Sequence, residues 1–591
     1  MWCCAQLSNT EPELRTQDKP LKRQLLQLII PMTALALSAC GTVPQQTDST
    51  VFEYPQTDGF SGNFLAGKAA QIENQSTYAA QYLLRAHKLD RDNVELRRRA
   101  FLALISDGRM TDAQPIARQL VLENPQDLFA ALTVMDGAIR EHQFNDALDV
   151  VAELPQRGIN ALIAPLAKAW LQTGLGNETA ALAALDEMQG NGSLNPLSEY
   201  HRGLIFAYFE DFDGAERALA SAYGDPADAP LRAAEALGAV YERKGQVQKA
   251  ALLYSSYMDR HPQSLAMPFH LARLDRGEPP MATVLTPAEG LAEAYLDIAT
   301  LLSQENAVDP SLLMARYSLS LRPEDDITRL LVGEVMEIQG RFDTAIDVYG
   351  AIPRSSPHSW NARLRIASSL EQLDRADEAI EILEDMVSER KERPDALIQL
   401  GDILRIEQEY GQAADAYDRA IERLGGEAQI GWRLLYRRGI AHERAGEWKK
   451  AEADFLQALE IEPEQPYVLN YLGYSWVDMG MNFEQAEDML LRAVELQPED
   501  GYIVDSLGWV YYKLGRFDDA VEQLEKAVEL KPDDPTINDH LGDAYWQIGR
   551  YHEARFQWHR ALSFDPTEEL RITVEAKING QVPTVAPTVV N

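Results

Sequence analysis

Sulfur and imidazole are the side chains best able to do chemistry in this 591-residue sequence, and both are scarce. Cysteine occurs only as Cys3, Cys4 and Cys40. Three thiols cannot build a disulfide framework, and none stands with histidines at zinc-ligand spacing. His540, His552 and His559 lie close together, but their spacings of 12 and 7 follow a helical pattern, not a ligand motif. There is no phosphate-binding loop, no GxSxG, no HExxH and no dinucleotide fingerprint. Acid pairs such as Asp518-Asp519 are abundant and read as solvated helix face. The inventory points to a binding protein, with no catalytic residues, metal or cofactor. Lys and Arg number 55 against 92 Asp and Glu, a formal charge of −37. That balance excludes nucleic acid as a partner, because phosphate binding needs a basic face.

The position of Cys40 is informative. Lys19, Lys22 and Arg23 are followed by an apolar run from Leu25 to Ala36, broken only by Gln27 and Thr33. The run is too short to span a bilayer and ends in small residues, the layout of a secretory signal. Leu37-Ser38-Ala39-Cys40 resembles the lipobox of bacterial lipoproteins. The resemblance implies cleavage of a signal peptide, residues 1–39, and lipidation of Cys40. Gly41, where inner-membrane lipoproteins usually carry Asp, implies the periplasmic face of the outer membrane of a Gram-negative bacterium. Acids at 11, 13 and 18 are unusual before a signal's basic region; a start near Leu21 would leave Cys3 and Cys4 untranslated. Residues 40–59 read as lipidated cysteine and flexible tether, with a span of about 25 Å.

The elements that must position any binding residues come from a repeat. The segment from Gly501 aligns with the segment from Pro535 at an offset of 34. Leu507-Gly508 answers Leu541-Gly542, Tyr511 answers Tyr545, Ala520 answers Ala554, Leu524 answers Trp558 and Pro532 answers Pro566. The frame extends back to starts at Pro466, Trp432, Pro394, Trp360, Asp326 and Ala292, then near Leu231, Pro196, Leu162, Leu128, Val94 and Phe60. This pattern resembles the tetratricopeptide repeat. The resemblance implies an all-α solenoid, a right-handed superhelix of about 13–14 helix pairs. Gly508 and Ala520 fall where two helices of a unit cross, while Leu507, Tyr511, Leu524 and Ala527 form the apolar seam. A single pair cannot bury its face, so pairs must stack. The frame divides into repeats over 60–264, an irregular joint or partial repeat over 265–291, and repeats over 292–567. Residues 568–591 read as a capping helix, with Leu570 and Ile572 covering the end, and a tail.

In the tetratricopeptide family the first helix of each unit lines the concave groove, through its second, fifth, ninth, twelfth and thirteenth positions. Carried onto the last units, this gives Tyr467, Asn470 and Tyr474, then Tyr502, Asp505, Trp509 and Tyr512, then Asp539, Asp543 and Trp546. Aromatics supply contact area at low entropic cost, and the acids favour a basic or amine-bearing segment. The alternative for these aromatics is packing between units.

Lipobox, tether and long solenoid together resemble outer-membrane repeat lipoproteins that act as adaptors of periplasmic carboxyl-terminal processing proteases. Leu472-Gly473-Tyr474 and Asp505-Ser506-Leu507-Gly508-Trp509 carry that likeness. It implies a scaffold that recruits a protease or peptidoglycan hydrolases, with proteins as partners and the membrane reached through the lipid. The alternative is a structural assembly factor of an envelope machine, such as a pilus or exopolysaccharide exporter.

Overall fold

Several first helices begin at a polar side chain that caps the first free backbone amides. The Asp500 carboxylate accepts from the backbone amides of Tyr502 (3.0 Å) and Ile503 (3.4 Å), and Asp534 does the same for Thr536 and Ile537 (both 2.9 Å). The computed structural model describes residues 58–581, except 156, 189–194 and 426–429. Cys40, the signal segment, most of the tether and the tail lie outside the described residues. Among them the chain forms thirty α-helices and no strand. Setting aside α13 (Ala266–Asp275), α18 (Ser359–Glu371), α19 (Ala376–Glu389) and α30 (Glu568–Ile578), the rest form thirteen helix pairs.

The repeat frame places most first helices on their residues. The helices α1 (Phe60–Ile72), α3 (Val94–Ser106), α5 (Leu128–Arg140), α11 (Leu231–Arg243), α16 (Asp326–Ile338), α22 (Trp432–Arg444), α24 (Pro466–Asp478), α26 (Gly501–Lys513) and α28 (Pro535–Gln547) begin as expected. The largest departure is α14 (Pro287–Gln304), which starts ahead of Ala292. Thr286-Pro287-Ala288-Glu289 is a capping box: Thr286 Oγ1 accepts from the Glu289 amide (3.2 Å), and the Glu289 carboxylate reaches back to the Leu285 amide (2.9 Å).

Within a pair, a glycine of the first helix lies against a large residue sixteen positions later. The pairs are Gly67–Leu83, Gly203–Leu219, Gly238–Tyr254, Gly333–Tyr349, Gly401–Tyr417, Gly439–Phe455, Gly508–Leu524 and Gly542–Trp558. A Cβ on Gly508 would sit 2.7 Å from Leu524 Cγ, so only hydrogen fits at this crossing.

The chain separates into two compact units at Ile382/Leu383, inside α19 (Ala376–Glu389). In the first unit, pairs stack in order as far as α12 (Val247–Arg260), and then the chain turns back on itself. Arg273, buried at the end of α13, pairs with Glu242 and donates to the carbonyls of Glu278 (3.0 Å) and Pro279 (2.7 Å), pinning the turn. From there α14 packs on α7 (Asn160–Gly174) and α9 (Asn195–Tyr208), while α15 (Val308–Leu321) packs on α3 and α5. Gly290 of α14 meets the face of Trp170. The Tyr317 hydroxyl lies 2.7 Å from both the Phe129 carbonyl and Thr133 Oγ1. The faces of four first helices are thus occupied by the unit's own chain.

The second unit stacks five pairs, from α20 (Asp395–Ile406) to α29 (Tyr551–Ser563), and ends in α30. Val574 and Lys577, not Ile572, bury the inner side of α30; Ile572 is exposed, and Leu570 is half-buried.

Candidate partner-binding groove

Asp505, on α26, is fully buried and cannot meet a solvent-borne ligand directly. Its carboxylate accepts from His540 Nδ1 at 3.0 Å, one repeat further on. The His540 ring stacks on Trp509 (3.9 Å, 17°), and Trp509 stacks in turn on Tyr512 (4.7 Å, 12°). Lys513 Nζ stands 5.3 Å from the Trp509 ring. Trp509 is half-buried, whereas Tyr512 is buried and its hydroxyl accepts from Gln547 Nε2 (3.3 Å). Burial, aided by the Asp543 charge, pushes the Tyr512 phenol well up.

The acids Asp539 and Asp543, four residues apart on α28, are also buried. Lys577 Nζ, itself buried, reaches both oxygens of Asp539 (2.8 Å) and Asp543 Oδ2 (2.7 Å). Trp558 Nε1 donates to the other Asp543 oxygen (3.1 Å). Burial first, and then the Asp539 charge, push the Asp543 carboxyl up to about 6 against the opposing pull of Lys577. Burial works against the Lys577 ammonium, but the two carboxylates outweigh it and hold its pKa above the ordinary lysine value.

The remaining positions divide by exposure. Asn470 is buried, while Tyr467, Tyr474, Tyr502 and Trp546 are half-buried. Tyr467 packs beside Leu469, Ala493 and Ile503, and Trp546 lies against Tyr551 (4.6 Å) and Trp558 (5.4 Å). Lys531 Nζ sits 5.3 Å from the Tyr502 ring. A cleft of about 520 Å³ opens beside Tyr502, lined further by Lys531, Asp534, Asp539, His540 and Phe564. The structure therefore joins Asp505, Trp509 and Tyr512 through His540, and Asp539 and Asp543 through Lys577. His552 and His559 are exposed and do not join His540. Among the described residues no group of three His, Cys, Asp or Glu is arranged to hold a metal ion.

His540 and Lys577 were not singled out as groove residues, yet the sequence holds a signal for them. Side chains on successive first helices meet at an offset of 35, as in Asp402–Arg437 (2.9 Å), Asp505–His540 and Tyr512–Gln547, and Glu235 of α11 meets His270 of α13 at the same offset (3.1 Å). Lys577 follows Asp543 by 34. Complementary residues one repeat apart mark the contact. The chemistry on offer is that of recognition: aromatic faces, and carboxylates that take a buried amine.

Four segments match models of the tetratricopeptide repeat: residues 200–264, 337–396, 432–465 and 508–549. A curated relative, the general transcriptional corepressor ssn6 of Schizosaccharomyces pombe, is 27% identical over 148 residues. The match takes in 25% of this chain and 13% of that protein, so the chain spans only a small part of its length. Among solved structures, the Cut9–Hcn1 hetero-tetramer of the APC/C is similar over 89% of this chain and 96% of that one (15% identity, TM-score 0.37). Yeast Tom70 is similar over 88% and 95% (14%, TM-score 0.33). YrrB, a repeat protein with an unusual peptide-binding site, is similar over 33% and 97% (23%, TM-score 0.26). The matched segments contain the crossings Gly203–Leu219, Gly238–Tyr254, Gly439–Phe455 and Gly508–Leu524, so within them the chain carries tetratricopeptide repeats, and its fold is an all-α solenoid of stacked helix pairs.

Proposed function

We propose that this protein is a lipid-anchored scaffold of the bacterial periplasm whose second unit recruits a protein partner, a protease or a peptidoglycan hydrolase. The observation that carries the reading is an asymmetry between units. In the first, α14 and α15 occupy the faces of α3, α5, α7 and α9. In the second, among the described residues, α20–α29 have no such packed return, and α24 and α26 carry the half-buried Tyr467 and Trp509. Half-buried aromatics are held rigid by their neighbours and keep part of their surface for a partner, the usual anatomy of a hot spot. The anchor rests on the lipobox ending at Cys40, and the compartment on Gly41. A photo-crosslinking residue at Trp509, in membrane-anchored protein, is expected to capture one dominant envelope enzyme, identified by mass spectrometry. Capture of pilus or polymer-export components alone would move the protein to the role of assembly factor.

A further inference from the structure

Two carboxylates one helical turn apart on α28 are a repulsive pair in water and a costly one when buried without a cation. Asp539 and Asp543 are buried, and their cation comes from α30. The hold of α30 is otherwise slight. Of its eleven residues only Val574 and Lys577 are buried, and Ile572 faces solvent. The connection that carries it, Phe564 to Thr567, contains Asp565 at φ 52° and then Pro566, so it is short and cannot extend either neighbouring helix. Beside α30 runs the cleft of about 520 Å³, whose walls include Asp539 and His540 from α28 and Leu570 and Thr573 from α30. Asp533, Asp534, Asp565 and Glu569 also line it, against Lys531 as the one lysine or arginine of the lining. The cleft thus reaches Asp539, one member of the carboxylate pair, along the flank of the helix that covers it, and its acidic lining favours a basic visitor.

We propose that α30 is a latch, held by Lys577 on Asp539 and Asp543, and that a lysine-bearing segment of the recruited protein takes its place. This rests on the groove reading above and names the chemistry of the partner. Removing Lys577 leaves Asp543 only the Trp558 indole N–H, so an ammonium supplied from outside restores what the fold has lost. The geometry requires a primary amine on a chain long enough to reach a buried pair, and Lys577 shows that a helical segment delivers it.

The test uses the full chain and a labelled peptide copying residues 564–581. Lys577→Ala protein is expected to bind this peptide about tenfold or more tighter than the parent does. Binding is expected to vanish when the peptide carries alanine at the lysine position, or when Asp539→Asn and Asp543→Asn are added. Peptide binding no stronger to Lys577→Ala than to the parent overturns the latch. Hydrogen exchange on the unaltered chain gives a second reading: amides of Arg571 to Ile578 should exchange well before those of α28, and exchange of both helices at one rate overturns the latch. Partner capture from membranes separates the two proposals. Capture that falls with Trp509→Ala but does not rise with Lys577→Ala keeps the groove and overturns the latch. Peptide binding as expected, with capture indifferent to Trp509→Ala, keeps the amine site and overturns the groove.

Discussion

At Gly508 the difference between hydrogen and methyl separates a packed helix pair from a strained one. Gly508→Ala places a Cβ within 2.7 Å of Leu524 Cγ and should destabilise the second unit by about 1–3 kcal/mol. Leu524→Ala in the same chain removes the obstacle, so the two substitutions should couple by more than about 0.5 kcal/mol in urea titrations. Strict additivity would show that the crossing relaxes by other means. Asp543 supplies a pH test. Its carboxyl stands at about 6, against about 3.9 for an unfolded aspartate, so the folded state holds the proton more tightly. The stability it contributes is complete below about pH 4 and is lost as pH rises through about 6. Asn at 543 cannot ionise, so the melting temperature of Asp543→Asn, relative to the parent, should climb from about pH 4 to about pH 7. Trp509 and Tyr512 differ in the same manner of reading. Trp509→Ala removes a half-exposed face and should cost affinity, whereas Tyr512→Ala empties a buried site and should cost about 3 kcal/mol of stability.

Among the elements, the return of α14 onto the earlier helices needs a polar fastening as well as apolar packing. Arg232 of α11 donates to Glu293 of α14 (2.8 Å) and to Asp325, the cap of α16 (2.7 Å). Tyr200 of α9 adds its hydroxyl to Glu293 (2.9 Å). Burial pushes the Glu293 carboxyl up while Arg232 pulls it down. Trp170 Nε1 donates to His201 Nδ1 (3.1 Å), which leaves Nε2 to donate to Asp297 of α14 (3.0 Å) and sets the imidazole tautomer. Arg232→Met keeps much of the bulk but leaves Glu293 and Asp325 with Arg322, at 3.8 Å from each, as their nearest cation, and should destabilise the first unit by about 3 kcal/mol. Limited proteolysis should then cut first between α13 and α14. An unchanged cutting pattern and melt would mean that packing of Trp170 on Gly290 holds the return unaided.

For the whole molecule, charge sets the long-range behaviour. A formal charge of −37 draws basic segments from a distance, an attraction that falls with salt. The proposed anchor at Cys40 has its own test. Cys40→Ser should abolish lipidation and leave uncut precursor or released protein. Labelling with a radioactive fatty acid reads this directly, and label retained on the serine variant would end the lipoprotein assignment.

Helix identity and pairing are local properties, and the pattern of residues carried them. Glycine and a large residue recur sixteen apart because two helices of a pair cross at one point, and caps such as Asp500 and Asp534 act within their own turn. The aromatic positions of α24 and α26 were legible for the same reason, since a helix has a fixed period. The pairing of Asp505 with His540, and of Asp539 and Asp543 with Lys577, left a trace only at offsets of 34 to 38, where composition must be compared between repeats. The return of α14 and α15 left none. Tyr317 meets Phe129 at a separation of 188 residues, and Arg341 meets Ser76 at 265. No helical period reaches so far, because such contacts depend on curvature accumulated over many small rotations between pairs. Seam and groove look alike in one repeat; stacking and return sort them into buried acids, half-open aromatics and a face that the protein keeps for itself.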